Sequence, residues 1–210
     1  MNLKKLRAAE ALFLQKYPGG FQHEDMQKVG RKHNVTQLVE FAQTHLKRAQ
    51  FRQPGEVLDN IVKIISRSSM VSLFEKPKFR DYVNGMNRED RAFLAQGFQH
   101  LLHGRKEQGF NDVVDVLAEG RLAKWTLLTA IPMYFRPQQD VFIKPTTTKN
   151  VLRQFELHDL TYRPLPYWSF YTGYRDAIAQ MKAAVDPALS PSNAAFTGFL
   201  MMTSEIGRPA

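Results

Sequence analysis

Apolar side chains recur every three or four positions through most of the first 120 residues of this 210-residue chain. That spacing puts them on one face of a helix. The stripes that show it best cover residues 3–13, 35–46, 57–65, 93–102 and 110–117. Turn-forming residues separate them, among them Pro18, Pro54 and Gly120. The first part of the chain is therefore predicted to be a set of helices with short connections.

Two asparagines stand where helices are predicted to begin. Asn34 precedes the second stripe, and Asn87 is followed by Glu89 and Asp90, which are favourable in a first turn. Residues 66–78 have no clear helical pattern, and Pro77 is interpreted as the end of that segment. These signals set the predicted boundaries of the helical part, residues 1–120.

The composition changes after residue 120. Five of the eleven prolines lie between residues 131 and 166, and aromatic residues are concentrated between 134 and 174. The pattern predicts helices at 125–135 (disturbed at Pro132), 146–156, 167–185 and 193–202, extended pieces at 141–143 and 160–163, and a mobile tail at 207–210. We expect one mainly α domain. Residues 121–205 pack on the helical part and form at most a small two- or three-stranded sheet in the C-terminal half.

The segment that runs from the predicted strand into the following helix contains a turn bracketed by Lys144 and Lys149. A helix start concentrates free backbone N–H groups, which attract anions. One of the threonines is expected to cap the helix while the others face outward. The candidate phosphate-binding residues are Lys144, Thr146, Thr147, Thr148, Lys149 and Arg153. Against this, the turn has no glycine, and a capped helix with solvated lysines also explains it.

Asp140 lies four positions before Lys144. On a strand, this spacing puts both side chains on the same face. Phe142 occupies the position where a metal-dependent nuclease would need a second carboxylate, so a nuclease site is not favoured. A surface ion pair between Asp140 and Lys144 is the simpler interpretation.

The chain carries a formal net charge of +9, and much of the excess lies at its start. The first 52 residues hold ten Lys or Arg against four Asp or Glu. A local excess of this kind favours polyanions such as nucleic acid, although it also suits a solvated surface. The candidate nucleic-acid contacts are Arg31, Lys32, Lys47, Arg48, Arg163 and Arg175.

Residues 162–174 interleave aromatic rings with arginine. Exposed, such a segment would stack on nucleobases or contact another protein. Trp168, Tyr171 and Tyr174 follow helical spacing, however, which favours a place in the core. Both interpretations stay open at this point.

His100 and His103 lie three positions apart on a predicted helix, a spacing that can bind a metal when a third ligand is present. No third ligand is evident in the sequence, and histidines also suit a helix end. The chain has no cysteine and none of the common nucleotide-binding, zinc-protease or serine-hydrolase motifs. We therefore predict no metal and no cofactor.

Three segments resemble an uncharacterised family of bacterial proteins of similar length: residues 12–21, 69–78 and 141–149. The resemblance implies a bacterial, cytoplasmic protein and carries no activity, cofactor or catalytic residue. No apolar run approaches the roughly 20 residues that cross a bilayer, so no membrane association is expected.

The leading hypothesis is a binding protein for a polyanion, most plausibly nucleic acid, that uses a basic face and the Lys144–Lys149 turn. One alternative is an enzyme that holds a small phosphorylated or carboxylated substrate at the same turn. Another is a protein-interaction module that uses residues 162–174. A closed cavity beside Lys144 would favour the enzyme, and a large exposed aromatic patch the interaction module.

Overall fold

The computed structural model describes residues 1–206, and within that range the chain forms eleven α-helices and no β-strand. Three short 3-10 turns, at Gly20–Gln22, Arg48–Arg52 and Pro187–Leu189, connect some of them. The helices are α1 (Leu3–Lys16), α2 (Glu24–His33), α3 (Val35–His45), α4 (Pro54–Arg67), α5 (Glu75–Gly85), α6 (Arg88–His103), α7 (Lys106–Glu119), α8 (Trp125–Phe135), α9 (Pro145–Gln154), α10 (Trp168–Ala183) and α11 (Asn193–Ile206). The predicted tail at 207–210 lies outside the described residues.

Helix α8 forms the centre of the molecule. Ten of its eleven residues are buried, so it is apolar on all sides rather than on one stripe. It contacts α3, α4, α6 and α7, and it continues through Pro132. The buried apolar residues of the chain form one core cluster, which extends from Leu6 to Leu200. The prediction of one mainly α domain is confirmed.

Helices α6 and α7 pack against each other more extensively than any other pair. Two glycines allow the close approach. A Cβ atom on Gly109 would lie 2.2 Å from the backbone nitrogen of Leu101 and 2.5 Å from the carbonyl oxygen of Gly97. No side chain fits in that space, so Gly109 fixes the distance between the two helices.

Two helices were not predicted, each for a physical reason. Met26 is the only buried residue of α2, so this helix has no apolar stripe to detect. In α5, Pro77 falls in the first turn, where a backbone N–H has no partner within the helix and proline is tolerated. The interpretation of Pro77 as the end of a segment is therefore wrong.

Neither predicted extended piece forms a strand within residues 1–206. Val141, Phe142 and Ile143 are fully or almost fully buried, but their backbone is not paired in a sheet. Instead, the Ile143 N–H donates to Thr129 Oγ1 on α8, at 3.0 Å. Residues 160–163 are likewise irregular. A short apolar run predicts that a segment is buried. Here the segment is buried against a central helix, so its backbone has no neighbouring strand to pair with.

The predicted caps have different outcomes. Asn87 Oδ1 accepts hydrogen bonds from the N–H groups of Glu89 and Asp90, both at 2.9 Å, as expected of an N-cap. Asn34 stands at the start of α3, but it has a left-handed backbone (φ 55°) and makes no side-chain cap bond. It ends α2 as well, which is why it adopts a conformation that asparagine tolerates.

Candidate functional site

The Lys144–Lys149 turn is the start of α9, as predicted, but its geometry differs from a phosphate loop. Lys144 is the N-cap residue and Pro145 occupies the first helical position. No side chain caps the helix, so the expected threonine cap is wrong. Lys144 and Lys149 are both exposed.

The three threonines of this turn do not share one environment. Thr146 is exposed, whereas Thr147 and Thr148 are 5% and 1% exposed. The Thr148 hydroxyl forms a hydrogen bond with Tyr174, whose pKa burial raises above its ordinary value. Thr147 and Thr148 therefore belong to the core and do not line an external anion site, which corrects their predicted role.

Two tyrosines hold cations of this region at the surface. Lys149 Nζ lies 5.7 Å from the centroid of the Tyr162 ring, and the Arg163 guanidinium lies 5.3 Å from that of Tyr167. Both rings also pack on Trp125, at centroid distances of 6.3 Å. We call Lys149 and Arg163, the two cations that lie over these rings, the C-terminal basic cluster.

Trp125 also connects this cluster to the core. Its indole N–H donates to the Arg163 carbonyl at 2.7 Å, which fixes the backbone of Arg163. The Tyr167 hydroxyl donates to the Thr161 carbonyl nearby. A cation over an aromatic face is attracted by about 0.5–1 kcal/mol at an exposed site, so the rings favour defined positions for the two cations.

Two predicted contacts lie elsewhere. Arg153 Nη2 donates to Asn150 Oδ1 at 3.1 Å, within α9 itself. Arg175 is half-buried on α10, and its Nε lies 3.5 Å from a carboxylate oxygen of Asp176. Neither side chain contacts the tyrosines that hold the C-terminal basic cluster.

The N-terminal candidates form two groups rather than one. Arg31 and Lys32 are exposed in the last turn of α2, and Lys47 and Arg48 are exposed just after α3. Helix α3 separates the two groups, and its eleven residues span about 16 Å. The two groups therefore lie at opposite ends of one helix.

Ion pairs divide the cations into two classes. The structure describes the side chains of residues 1–203, and none of the Lys or Arg ion pairs among them involves Arg31, Lys32, Lys47, Arg48, Lys144, Lys149 or Arg163. The cations that do pair with a carboxylate are Lys5, Arg7, Lys28, Arg80, Arg91, Arg136 and Arg175. Most of the predicted contact residues are thus in the unpaired class, with Arg175 as the exception.

A buried polar network was missed from the sequence. Asp140, 2% exposed, accepts hydrogen bonds from Arg136 Nε at 2.5 Å and from the Tyr171 hydroxyl at 2.8 Å. The predicted surface pair of Asp140 with Lys144 is therefore wrong. Burial, followed by the Asp140 carboxylate, raises the pKa of Tyr171 well above its usual range. The i, i+4 spacing of Arg136 and Asp140 was the available signal.

A small cavity of about 110 Å³ opens where the Arg48–Arg52 turn meets the α6–α7 connection. Its lining residues are Arg48, Gln99, His100, His103 and Gly104, and we call it the junction cavity. His103 Nε2 donates to the Leu46 carbonyl at 2.7 Å. Burial lowers the pKa of His103, and repulsion from Arg136 and Arg48 lowers it further, although the bond to Leu46 opposes them.

A larger concavity of about 650 Å³ lies at the start of α4, lined by Gln53, Pro54, Gly55, Glu56, Arg88, Arg91 and Ala92. Lys144 lines neither of these two cavities. Among the described side chains, those of residues 1–203, no group of three or more His, Asp or Glu is arranged to hold a metal ion.

The aromatic segment contributes mainly to the core. Phe170, Tyr171 and Tyr174 are at most 2% exposed, while Tyr162, Tyr167 and Trp168 are half-buried. The most exposed large apolar side chains lie elsewhere: Leu73 and Phe74, at 79% and 82%, just before α5. The interaction surface suggested at residues 162–174 is thus not a broad exposed patch.

Comparisons with protein-family models, with curated proteins and with solved structures give no match for this chain. The resemblance to bacterial proteins therefore stays a prediction. Over the part of the chain that the structure describes, each helix is too short or too polar to pass through a bilayer.

Proposed function

We propose that this protein binds a polyanion, with nucleic acid as the favoured class, and that the C-terminal basic cluster makes the main contact. The observation that carries the proposal is the pairing of cations with tyrosine rings instead of carboxylates. Lys149 and Arg163 lie over Tyr162 and Tyr167, and among the described side chains of residues 1–203 no acidic group forms an ion pair with either. A cation whose charge is not neutralised locally can exchange its counterions for phosphate.

The tyrosines add a second favourable contribution to the binding of nucleic acid. Tyr162 and Tyr167 are half-buried, so part of each side chain reaches solvent beside a cation, where an unpaired base can pack. Single-stranded nucleic acid offers both bases and phosphates, whereas a duplex offers mainly phosphates to such a surface. We therefore expect single strands to bind more tightly than duplexes of the same length.

The N-terminal cations provide further exposed positive charge. Arg31 and Lys32 precede α3, Lys47 and Arg48 follow it, and the helix between them is about 16 Å long, while duplex DNA carries a charge every 1.7 Å or so. A polyanion is long enough to bridge such a separation, whereas a small ligand is not. The resemblance to bacterial proteins and the absence of cysteine support a cytoplasmic setting for this binding.

A matched pair of double variants tests the proposal. Lys149→Ala with Arg163→Ala removes two unpaired cations, and Lys28→Ala with Arg80→Ala removes one lysine and one arginine that form ion pairs. Both variants lose the same formal charge. We expect the first to weaken binding of a mixed-sequence oligonucleotide about tenfold, roughly 1.4 kcal/mol, and the second to change it far less.

Fluorescence anisotropy with labelled single and double strands at low salt measures both affinities. Equal weakening by the two variants would mean that only the net charge matters, and the C-terminal basic cluster would lose its role. The enzyme hypothesis gains no support at the Lys144–Lys149 turn, because that turn lines neither of the two cavities described above.

A further inference from the structure

We infer that the junction cavity is a second anion site, distinct from the C-terminal basic cluster, and that it binds a phosphate group. Its lining consists of arginine, glutamine, two histidines and glycine, with no acidic and no apolar side chain. Arg48 comes from the 3-10 turn, and the other four come from the end of α6 and the connection to α7. Donors from two separate elements thus converge on one concavity.

Arg105 adds a donor next to this set. Its Nη2 donates at 3.4 Å to Nε2 of His100, a lining residue, so a second guanidinium lies next to the wall of the junction cavity. Neither Arg48 nor Arg105 forms an ion pair among the described side chains of residues 1–203. Guanidinium groups bind phosphate oxygens through parallel hydrogen bonds, and they keep their charge at any physiological pH.

Two of the carbonyl groups at the end of α6, which would oppose an anion, are occupied. Arg136 donates to the carbonyls of Leu102 and Leu101, at 2.7 and 3.2 Å. These hydrogen bonds offset part of the negative charge that a helix C-terminus presents. Burial lowers the pKa of His103 most, and repulsion from Arg136 and Arg48 lowers it further, against the hydrogen bond to Leu46.

His100 has a buried ring nitrogen that lacks a hydrogen bond. Its Nδ1 has no hydrogen-bond partner among the described side chains, those of residues 1–203. The nearest carboxylate oxygen, on Asp112, is 3.8 Å away, and Nε2 accepts a long hydrogen bond, 3.4 Å, from Arg105. Buried polar atoms are bonded in the great majority of cases, so a ring with a weak contact on each side calls for an explanation. A phosphate oxygen in the cavity would replace His100 Nε2 as the acceptor of the Arg105 hydrogen bond, and a small shift of the ring would then let Nδ1–H donate to Asp112.

The size of the cavity selects the class of ligand. Pockets for drug-sized ligands have volumes of roughly 300–1,000 Å³, several times the 110 Å³ found at the junction cavity. A single phosphate group therefore fits inside while the remainder of its molecule stays outside. The phosphate can belong to a small phosphorylated compound or to the backbone of a nucleic acid, since both present the same oxygens.

Calorimetric titration of the full chain with inorganic phosphate, at constant ionic strength, tests this site. We expect saturable binding at one site. Arg48→Gln and Arg105→Gln are each expected to weaken it about tenfold or more, as the loss of a charged hydrogen bond predicts. Arg52→Gln is the matched control, because Arg52 is exposed on the same 3-10 turn but, unlike Arg48 and Arg105, neither lines the cavity nor forms a hydrogen bond with a residue that does. Its affinity for phosphate should equal that of the wild type.

Absence of saturable phosphate binding would overturn the inference, and so would equal weakening by the Arg52 control. Lys149→Ala with Arg163→Ala should leave phosphate binding unchanged, so the experiments test the junction cavity and the C-terminal basic cluster independently. Competition then identifies the source of the group. Displacement of an oligonucleotide by inorganic phosphate in the wild type, but not in Arg48→Gln, confirms the site with a nucleic-acid backbone as ligand. Tighter binding of a nucleoside monophosphate without such displacement confirms it with a small compound.

Discussion

Arg136 and Arg163 show how differently the same side chain is used in two regions of this molecule. Arg136 is half-buried and donates to the Asp140 carboxylate and to two carbonyls at the end of α6. Arg163 is exposed and lies over the ring of Tyr167. In the first region each of the three guanidinium nitrogens donates a hydrogen bond within the fold, while in the second the charge faces solvent. The comparison teaches that a basic residue indicates a partner only when its own protein leaves it unpaired.

The largest effect on stability should come from disrupting the buried network around Arg136. Asp140→Ala leaves the Arg136 guanidinium and the Tyr171 hydroxyl without their acceptor in a region that excludes water. We expect the free energy of unfolding to fall by about 3–5 kcal/mol. Urea denaturation measures it. Asp81→Ala, which removes the partner of exposed Arg80, is the control and should lower the free energy of unfolding far less, because solvent screens an exposed ion pair. Similar losses in both variants would show that burial of the network adds nothing to the free energy of unfolding.

The next largest effect concerns the helix pair that supports both Arg136 and the junction cavity. In Gly109→Ala the new methyl group would meet the backbone of α6 at 2.2–2.5 Å, and backbone atoms move only with the whole helix. We expect a loss of about 2–3 kcal/mol, at the upper end of the cost of overpacking. Thermal unfolding of this variant is compared with that of Gly85→Ala, where nothing lies within 4 Å. Wild-type stability in Gly109→Ala would show that α6 and α7 are not held at the distance described.

A smaller effect, on the pH dependence of stability, is expected from His103, which is half-buried. Its native pKa is lowered, whereas the unfolded side chain titrates near pH 6.5. Between these two values the unfolded state binds more protons, so stability should decrease as the pH falls through that window and level off below it. His103→Gln keeps a donor for the Leu46 carbonyl but does not titrate there. Unfolding curves of both proteins from pH 8 to pH 5 should converge as the pH falls, and parallel curves would contradict the assignment.

The sequence predicted the helices that carry an apolar stripe, because helical periodicity is a local signal. It missed α2, whose only buried residue is Met26, and α5, whose Pro77 lies where proline is tolerated. It also predicted strands where Val141–Ile143 packs against α8, since an apolar run does not tell which element will cover it.

The candidate site was only partly predictable from the sequence, because a sequence pattern shows which residues are close in the chain and not which ones folding brings together. Lys144 and Lys149 were singled out because they lie close together in the chain. Their neighbours Tyr162 and Arg163 follow thirteen or more residues later, and only folding brings these rings and cations together. The junction cavity depends on contacts between Arg48 and residues some fifty positions away, for which the sequence offers no local signal.

The most direct test of the central claim is the salt dependence of oligonucleotide binding. In the wild type, the logarithm of the affinity should fall linearly with the logarithm of the salt concentration, with a slope of about −0.7 to −0.9 for each phosphate contacted. Lys149→Ala with Arg163→Ala should reduce that slope by about 1.5, while Lys28→Ala with Arg80→Ala should leave it nearly unchanged. A wild-type protein that does not bind at low salt, or a slope that the first variant leaves unaltered, would contradict the account.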